Sequence, residues 1–141
     1  MPPSREILLP ALTLVAWTAV VWVWMYGVRI REIRRRRLDP QTFARARDAA
    51  NALEQTTPAD NLRNLFEIPV LFYALAVYIA ITGLASDAMF IAAWIYVVLR
   101  IVHSLIHMTY NRVMHRFFVY AASTVLLFGM WAVFGARLLA A

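Results

Sequence analysis

The sequence predicts an all-α integral membrane protein, a four-helix antiparallel bundle in a single domain over residues 1–141. Three observations predict it. Hydrophobic residues make up 62% of the chain, which exceeds the range of a soluble domain and leaves only the number of spans to decide. Four apolar stretches, at about 7–28, 60–84, 88–108 and 117–138, each approach or exceed the roughly 20 residues that a spanning helix needs. The charge is gathered between them: nine of the fourteen arginines fall between Arg29 and Arg63, and there is no lysine. In a soluble protein the net charge of +6 would suggest nucleic acid. Here the clustering is a topology signal instead, and nucleic acid is not expected as a partner. The absence of cysteine excludes disulfides, thiolate metal sites and a protein thiol nucleophile, so any thiol chemistry needs a thiol brought by a cofactor or substrate.

The first span, Ile7 to Val28, is 22 residues without a charge. It is too long for the apolar region of a signal peptide, and no small-residue cleavage site precedes the arginines. Pro10 lies in or just before its first turn, where proline is tolerated. Trp22, Trp24 and Tyr26 stand where an interfacial aromatic belt falls. Arg29, Arg31 and the run Arg34 to Arg37 follow, making the 29–59 loop cytoplasmic and the N-terminus external by the positive-inside rule. Within that loop, Asp39-Pro40 has the form of an N-cap and first helical residue, starting a short helix to about Glu54.

Thr57-Pro58-Ala59-Asp60 repeats that form, with Thr57 as cap, and opens the second span. Pro69 lies inside this span, removes one backbone hydrogen bond and predicts a kink. Gly83 to Asp87 makes a tight outer turn with Ser86 as N-cap of the third span. A polar turn, Thr109 to Asn111, returns the chain to the fourth span. Arg137 and the apolar tail end outside.

Ionisable groups inside such helices cost about 2.5–3.5 kcal/mol each near the bilayer centre, so they mark a site or a buried pair. Arg100, His103 and His107 share one face of the third span. Antiparallel neighbours joined by a short turn match in depth at about 1.5 Å per residue. Counted from the two turns, Asn64, Glu67, His103, His107, Arg116 and Tyr120 converge at one depth near the cytoplasmic end, rimmed by Arg29, Arg63 and Arg112. The cluster suits an anion with one carboxylate for balance. Blander roles stand beside this one: Glu67 and Arg100 as a structural ion pair, the histidines as interhelical hydrogen-bonding groups, Arg112 and Arg116 as topology arginines. No metal is expected, because the adjacent arginines disfavour a cation at His103, His107 and Glu67.

Val28-Arg29-x-Arg31 follows the first span, Arg63-Asn64-x-x-Glu67-x-Pro69 opens the second, and Arg100-x-x-His103 lies in the third; Arg112, Arg116 and Tyr120 come after. In these pieces and their order the chain resembles the MAPEG family, the membrane-associated proteins in eicosanoid and glutathione metabolism. The later spacing is that of the microsomal prostaglandin E synthase branch, in a bacterial-type member. The resemblance implies a homotrimer with sites between neighbouring subunits and, as cofactor, glutathione held by Arg29, Arg63, Asn64, Glu67, His103, Arg116 and Tyr120, with His107 at the same level. It implies a transferase or peroxidase of the bacterial inner membrane acting on a lipophilic electrophile, with Arg116, or failing it Arg112, stabilising the thiolate. A guanidinium beside a thiol at low dielectric favours the thiolate. This sequence departs from that branch at His107 (tyrosine there), Asp60 (arginine) and Phe117 (serine). A non-catalytic scaffold on the same fold, and a small transporter coupled through Glu67, are the alternatives.

Overall fold

The computed structural model describes residues 4–37, 39, 41 and 57–140. A single 3₁₀ turn, Ser4–Ile7, leads into α1 (Leu8–Arg36). The second span is broken into α2 (Thr57–Phe66) and α3 (Pro69–Thr82). α4 (Asp87–Met108) and α5 (Val113–Ala140) complete the bundle. All four helical segments are long and apolar enough to cross a membrane, so the protein is an integral, multi-pass membrane protein and associates with the lipid bilayer.

The boundaries follow from local chemistry. α2 ends immediately before Glu67-Ile68-Pro69, where the missing proline N–H breaks the helical ladder. Gly83 closes α3 at φ 72°, a left-handed conformation that glycine adopts without a Cβ penalty, and its N–H bonds to the Ile79 carbonyl. The Ser86 hydroxyl accepts from the Met89 N–H at 3.3 Å, the N-cap of α4. Between α4 and α5 the turn rests on Asn111 at φ 46°, one of the few side-chain types that tolerate that region. Its N–H reaches back five residues to the Ile106 carbonyl at 2.8 Å.

Two helices are longer than expected. α1 continues through the arginine run to Arg36, and α5 begins at Val113 instead of Phe117. Water-exposed helix ends satisfy their own backbone as readily as apolar ones, so hydropathy alone truncates both. The Asp39 carboxylate accepts from the Gln41 N–H at 2.9 Å, the contact an N-cap makes; the rest of the helix expected to run to Glu54 lies outside the described residues.

α4 packs most extensively on α5, while α1 contacts α2, α3 and α4. The core is built from Leu14, Val21, Leu65, Phe72, Leu75, Ile79, Ala93, Tyr96, Val97, Leu127 and Phe134. The rings of Phe72 and Tyr96 lie 4.5 Å apart, centroid to centroid. Lipid is as apolar as these side chains, so their packing contributes through dispersion and fit, not through escape from water. Polar groups then fix the register. The Asn61 amide donates to the Ser104 hydroxyl at 2.8 Å, with both side chains fully buried. Asn61→Ala is expected to cost about 0.6–2 kcal/mol, seen as a lower thermal midpoint in detergent; an unchanged midpoint would show the bond to be dispensable. At the other end, Arg137 donates to the Leu84 carbonyl at 3.5 Å and ties α5 to the outer turn.

Candidate functional site

α4 supplies a buried polar ladder one turn apart: Tyr96, Arg100, His103 with Ser104, and His107. α5 faces it with Arg116, Tyr120 and Thr124. The α4–α5 turn is short, so these residues meet level for level.

Arg100 is the largest of the fully buried side chains, 1% exposed. Its Nε donates to the Tyr96 hydroxyl at 3.1 Å and Nη2 to Thr124 Oγ1 at 3.3 Å. Its guanidinium carbon lies 4.7 Å from the Tyr120 ring centroid and 5.3 Å from that of Tyr96. Nη1 has no hydrogen-bond partner among the described residues. The Glu67–Arg100 ion pair considered from the sequence is not formed; the partners are two hydroxyls and two aromatic faces. Tyr96 is four residues before Arg100 on the same helix, so this contact was readable at i, i+4.

One turn further, Arg116 engages both histidines in different ways. Its Nη1 lies 2.8 Å from His107 Nε2 and 2.7 Å from Asn111 Oδ1. Its backbone carbonyl lies 3.1 Å from His103 Nδ1. A guanidinium only donates and a carbonyl only accepts. His107 Nε2 is therefore an acceptor, and His103 Nδ1 carries the proton. Among the described residues, Nε and Nη2 of Arg116 make no hydrogen bond, leaving that side of the fork open. Asn111 thus both turns the chain and helps hold Arg116. From the sequence Asn111 reads only as a turn residue; its position five residues before Arg116 was the available signal for the second role.

Asn64, His103, Arg116 and Tyr120, with Val113 and Phe117, line one cavity of about 210 Å³. The rings of His103 and Tyr120 are 5.6 Å apart. His107 lines a second cavity of about 170 Å³ on its other side, against Trp24, Thr57, Pro58, Met108, Thr109 and Asn111. The Arg116–His107 contact joins the residues of the two cavities.

The single chain does not gather the remaining residues of the predicted cluster. Glu67 is exposed, lines neither cavity and makes no side-chain hydrogen bond or ion pair among the described residues. The buried stripe of the second span runs through Pro58, Asn61, Leu65 and Pro69; Asn64 lies beside that stripe and Glu67 beyond it. Depth counting carries no information on the direction in which Glu67 faces. Arg63 and Arg112 are exposed and Arg29 is half-buried, and none of the three lines the cavity. Among the described residues no three histidine, aspartate or glutamate side chains gather as a metal site.

Neither the curated proteins nor the solved structures give a match to this chain. A family model, that of the MAPEG family, matches residues 7–136. This range takes in every residue that lines the two cavities and reaches from just before α1 into the last turns of α5. The chain belongs to the MAPEG family.

Proposed function

We propose that the protein is a glutathione-dependent transferase or peroxidase acting on a lipophilic electrophile within the bilayer. The observation that carries this reading is the shared wall of Asn64, His103, Arg116 and Tyr120 around one cavity, with the Arg116 fork held at Nη1 and open elsewhere. A fixed cation with free donors beside a cavity is suited to stabilise a thiolate there. Asn64 and Tyr120 supply the uncharged donors and acceptors that a peptide thiol needs. Phe117 gives the wall no hydroxyl, so thiolate stabilisation falls to Arg116 and not to a serine neighbour. Arg112, exposed in the turn, is the second candidate for that role.

At about 210 Å³ the cavity is smaller than the roughly 300–1,000 Å³ of sites that enclose a drug-sized ligand. One chain therefore offers part of a tripeptide site. In a homotrimer with sites between subunits, Arg29, Arg63 and Glu67 would close the rest from a neighbouring copy, and a carboxylate facing outward from its own chain suits that role. The same reading places the protein in the microsomal prostaglandin E synthase branch, in a bacterial inner membrane, with residues 29–59 cytoplasmic and the N-terminus outside.

Calorimetric titration of the detergent-purified protein with glutathione tests this. Saturable binding is expected, weakened at least about tenfold by Arg116→Ala and by Glu67→Gln, since each removes a charged hydrogen-bonding group. No saturable heat at millimolar glutathione would defeat the reading and leave a scaffold or a Glu67-coupled transporter.

A further inference from the structure

We infer that His103 is the general base that takes the thiol proton, and that its Nε2 is the atom that receives it. The inference rests on the thiol-binding reading above and adds a catalytic residue to it. It follows from the division that Arg116 imposes on the two histidines of α4. They stand four residues apart and their rings lie 6.1 Å from each other, yet they are not equivalent. His107 Nε2 accepts from the Arg116 guanidinium, so its lone pair is occupied and its proton sits on Nδ1. His103 donates from Nδ1 to the Arg116 carbonyl, so its proton also sits on Nδ1. Its Nε2 carries a lone pair with no hydrogen-bond partner among the described residues, on a side chain only 4% exposed. A buried acceptor left without a donor is costly and marks a place where a ligand donor completes the set. His103 lines the cavity beside Arg116, and a thiol S–H is such a donor.

The other candidates are occupied or elsewhere. His107 does not line this cavity. His115 is exposed and pairs with the Tyr110 hydroxyl. The Tyr120 phenol brings a proton of its own. The charged and titratable groups around His103 are Arg100 and His107 on its own helix, and Arg116 and Tyr120 on α5. In the step, the S–H bond breaks, its proton moves to His103 Nε2, and the electron pair remains on sulfur beside Arg116. Net charge in the site is unchanged. The imidazolium keeps its Nδ1–H on the Arg116 carbonyl, so no side chain has to move. When the sulfur attacks an electrophilic carbon, the C–S bond forms and the departing or carbanionic group takes the proton from Nε2.

His103→Asn is the informative substitution, because its amide N–H takes the place of Nδ1–H while nothing takes the place of Nε2. Glutathione binding by calorimetry is expected to weaken, because His103 lines the site, but to stay saturable, so that the two proteins are compared at saturating glutathione. The thiolate ultraviolet band at neutral pH is expected to fall and its pH dependence to move upward, with kcat lower by about 10²-fold, the low end for loss of a general base. His103→Ala is expected to regain part of its activity in added imidazole, a rescue that a structural role does not give. A thiolate band in His103→Asn with unchanged pH dependence overturns the inference and leaves thiol binding standing. Absence of glutathione binding in the unsubstituted protein overturns both, and the two failures are distinguished by which protein shows them. Nitrogen NMR of histidine-labelled protein tests the premise without any substitution: a proton on Nδ1 and none on Nε2 of His103 is expected, and the reverse tautomer overturns the inference.

Discussion

Arg116→Leu is expected to lower thiol-dependent turnover by about 10³-fold, the upper range for removing one preorganised donor from a developing anion. The substitution removes the only cationic side chain that lines the cavity among the described residues. It also removes both hydrogen bonds made by Nη1, leaving His107 Nε2 and Asn111 Oδ1 without their donor. The backbone carbonyl that holds His103 survives, because it does not depend on the side chain. Arg116→Lys separates charge from geometry. An ammonium keeps the charge but lacks the planar fork that reaches His107 and Asn111 with one nitrogen while presenting others to the cavity. Its activity is expected to fall between the two. A steady-state conjugation assay with purified protein reads all three. Leucine and wild-type enzymes of equal turnover would exclude Arg116 from the chemistry.

Arg100→Ala is expected to destabilise the fold by about 2–5 kcal/mol, the range for emptying a large buried site. Besides the lost volume, the Tyr96 hydroxyl and Thr124 lose their partner, and the Tyr96 and Tyr120 rings lose the cation between them. Arg100→Met restores most of the volume and removes the charge. Replacing buried ionic groups by apolar ones of similar size is often neutral or stabilising, so methionine is expected to cost less than alanine. The remaining loss reflects the two stranded hydroxyls, about 1–3 kcal/mol for each that stays buried and unpaired. Thermal unfolding in detergent, followed by far-ultraviolet circular dichroism, checks the order. Equal losses for alanine and methionine would mean that the charge itself is what holds the helices together.

Much of the architecture was legible because membrane helices are written in long apolar runs. Pro69 and Ser86 acted as expected, since the missing N–H and the capping hydroxyl are local effects. The level at which Asn64, His103, Arg116 and Tyr120 meet followed from the shortness of the α4–α5 turn and from matched helix rise. What depth counting lacks is rotation. Glu67, Arg63 and Arg112 are exposed and line no part of the cavity. Partner choice was equally out of reach. A buried arginine in lipid suggested a carboxylate, whereas the partners of Arg100 are hydroxyls and ring faces that carry no charge signature. The distinct roles of the two histidines depend on whether a carbonyl or a guanidinium of one residue meets the ring, which spacing does not encode. The family match accounts for the order of the motifs but does not fix these contacts.

The continuation of α1 through Arg36 turns a cluster of charge into a stiff mast. The eight residues from Arg29 to Arg36 rise about 12 Å at 1.5 Å each. The headgroup layer on one side of a bilayer is about 5–8 Å deep. An upright α1 with Arg29 at the edge of the hydrocarbon would carry Arg29 and Arg31 among the phosphates and lift Arg34 to Arg36 to the outer limit of that layer and beyond. There the screening length at physiological salt is about 8 Å. Screening over that length would weaken the pull of lipid charge on the outer arginines, and Arg36 turns to Glu32 one turn below at 3.1 Å. Inner and outer halves of one arginine run would then answer differently to salt, the first anchored and the second screened.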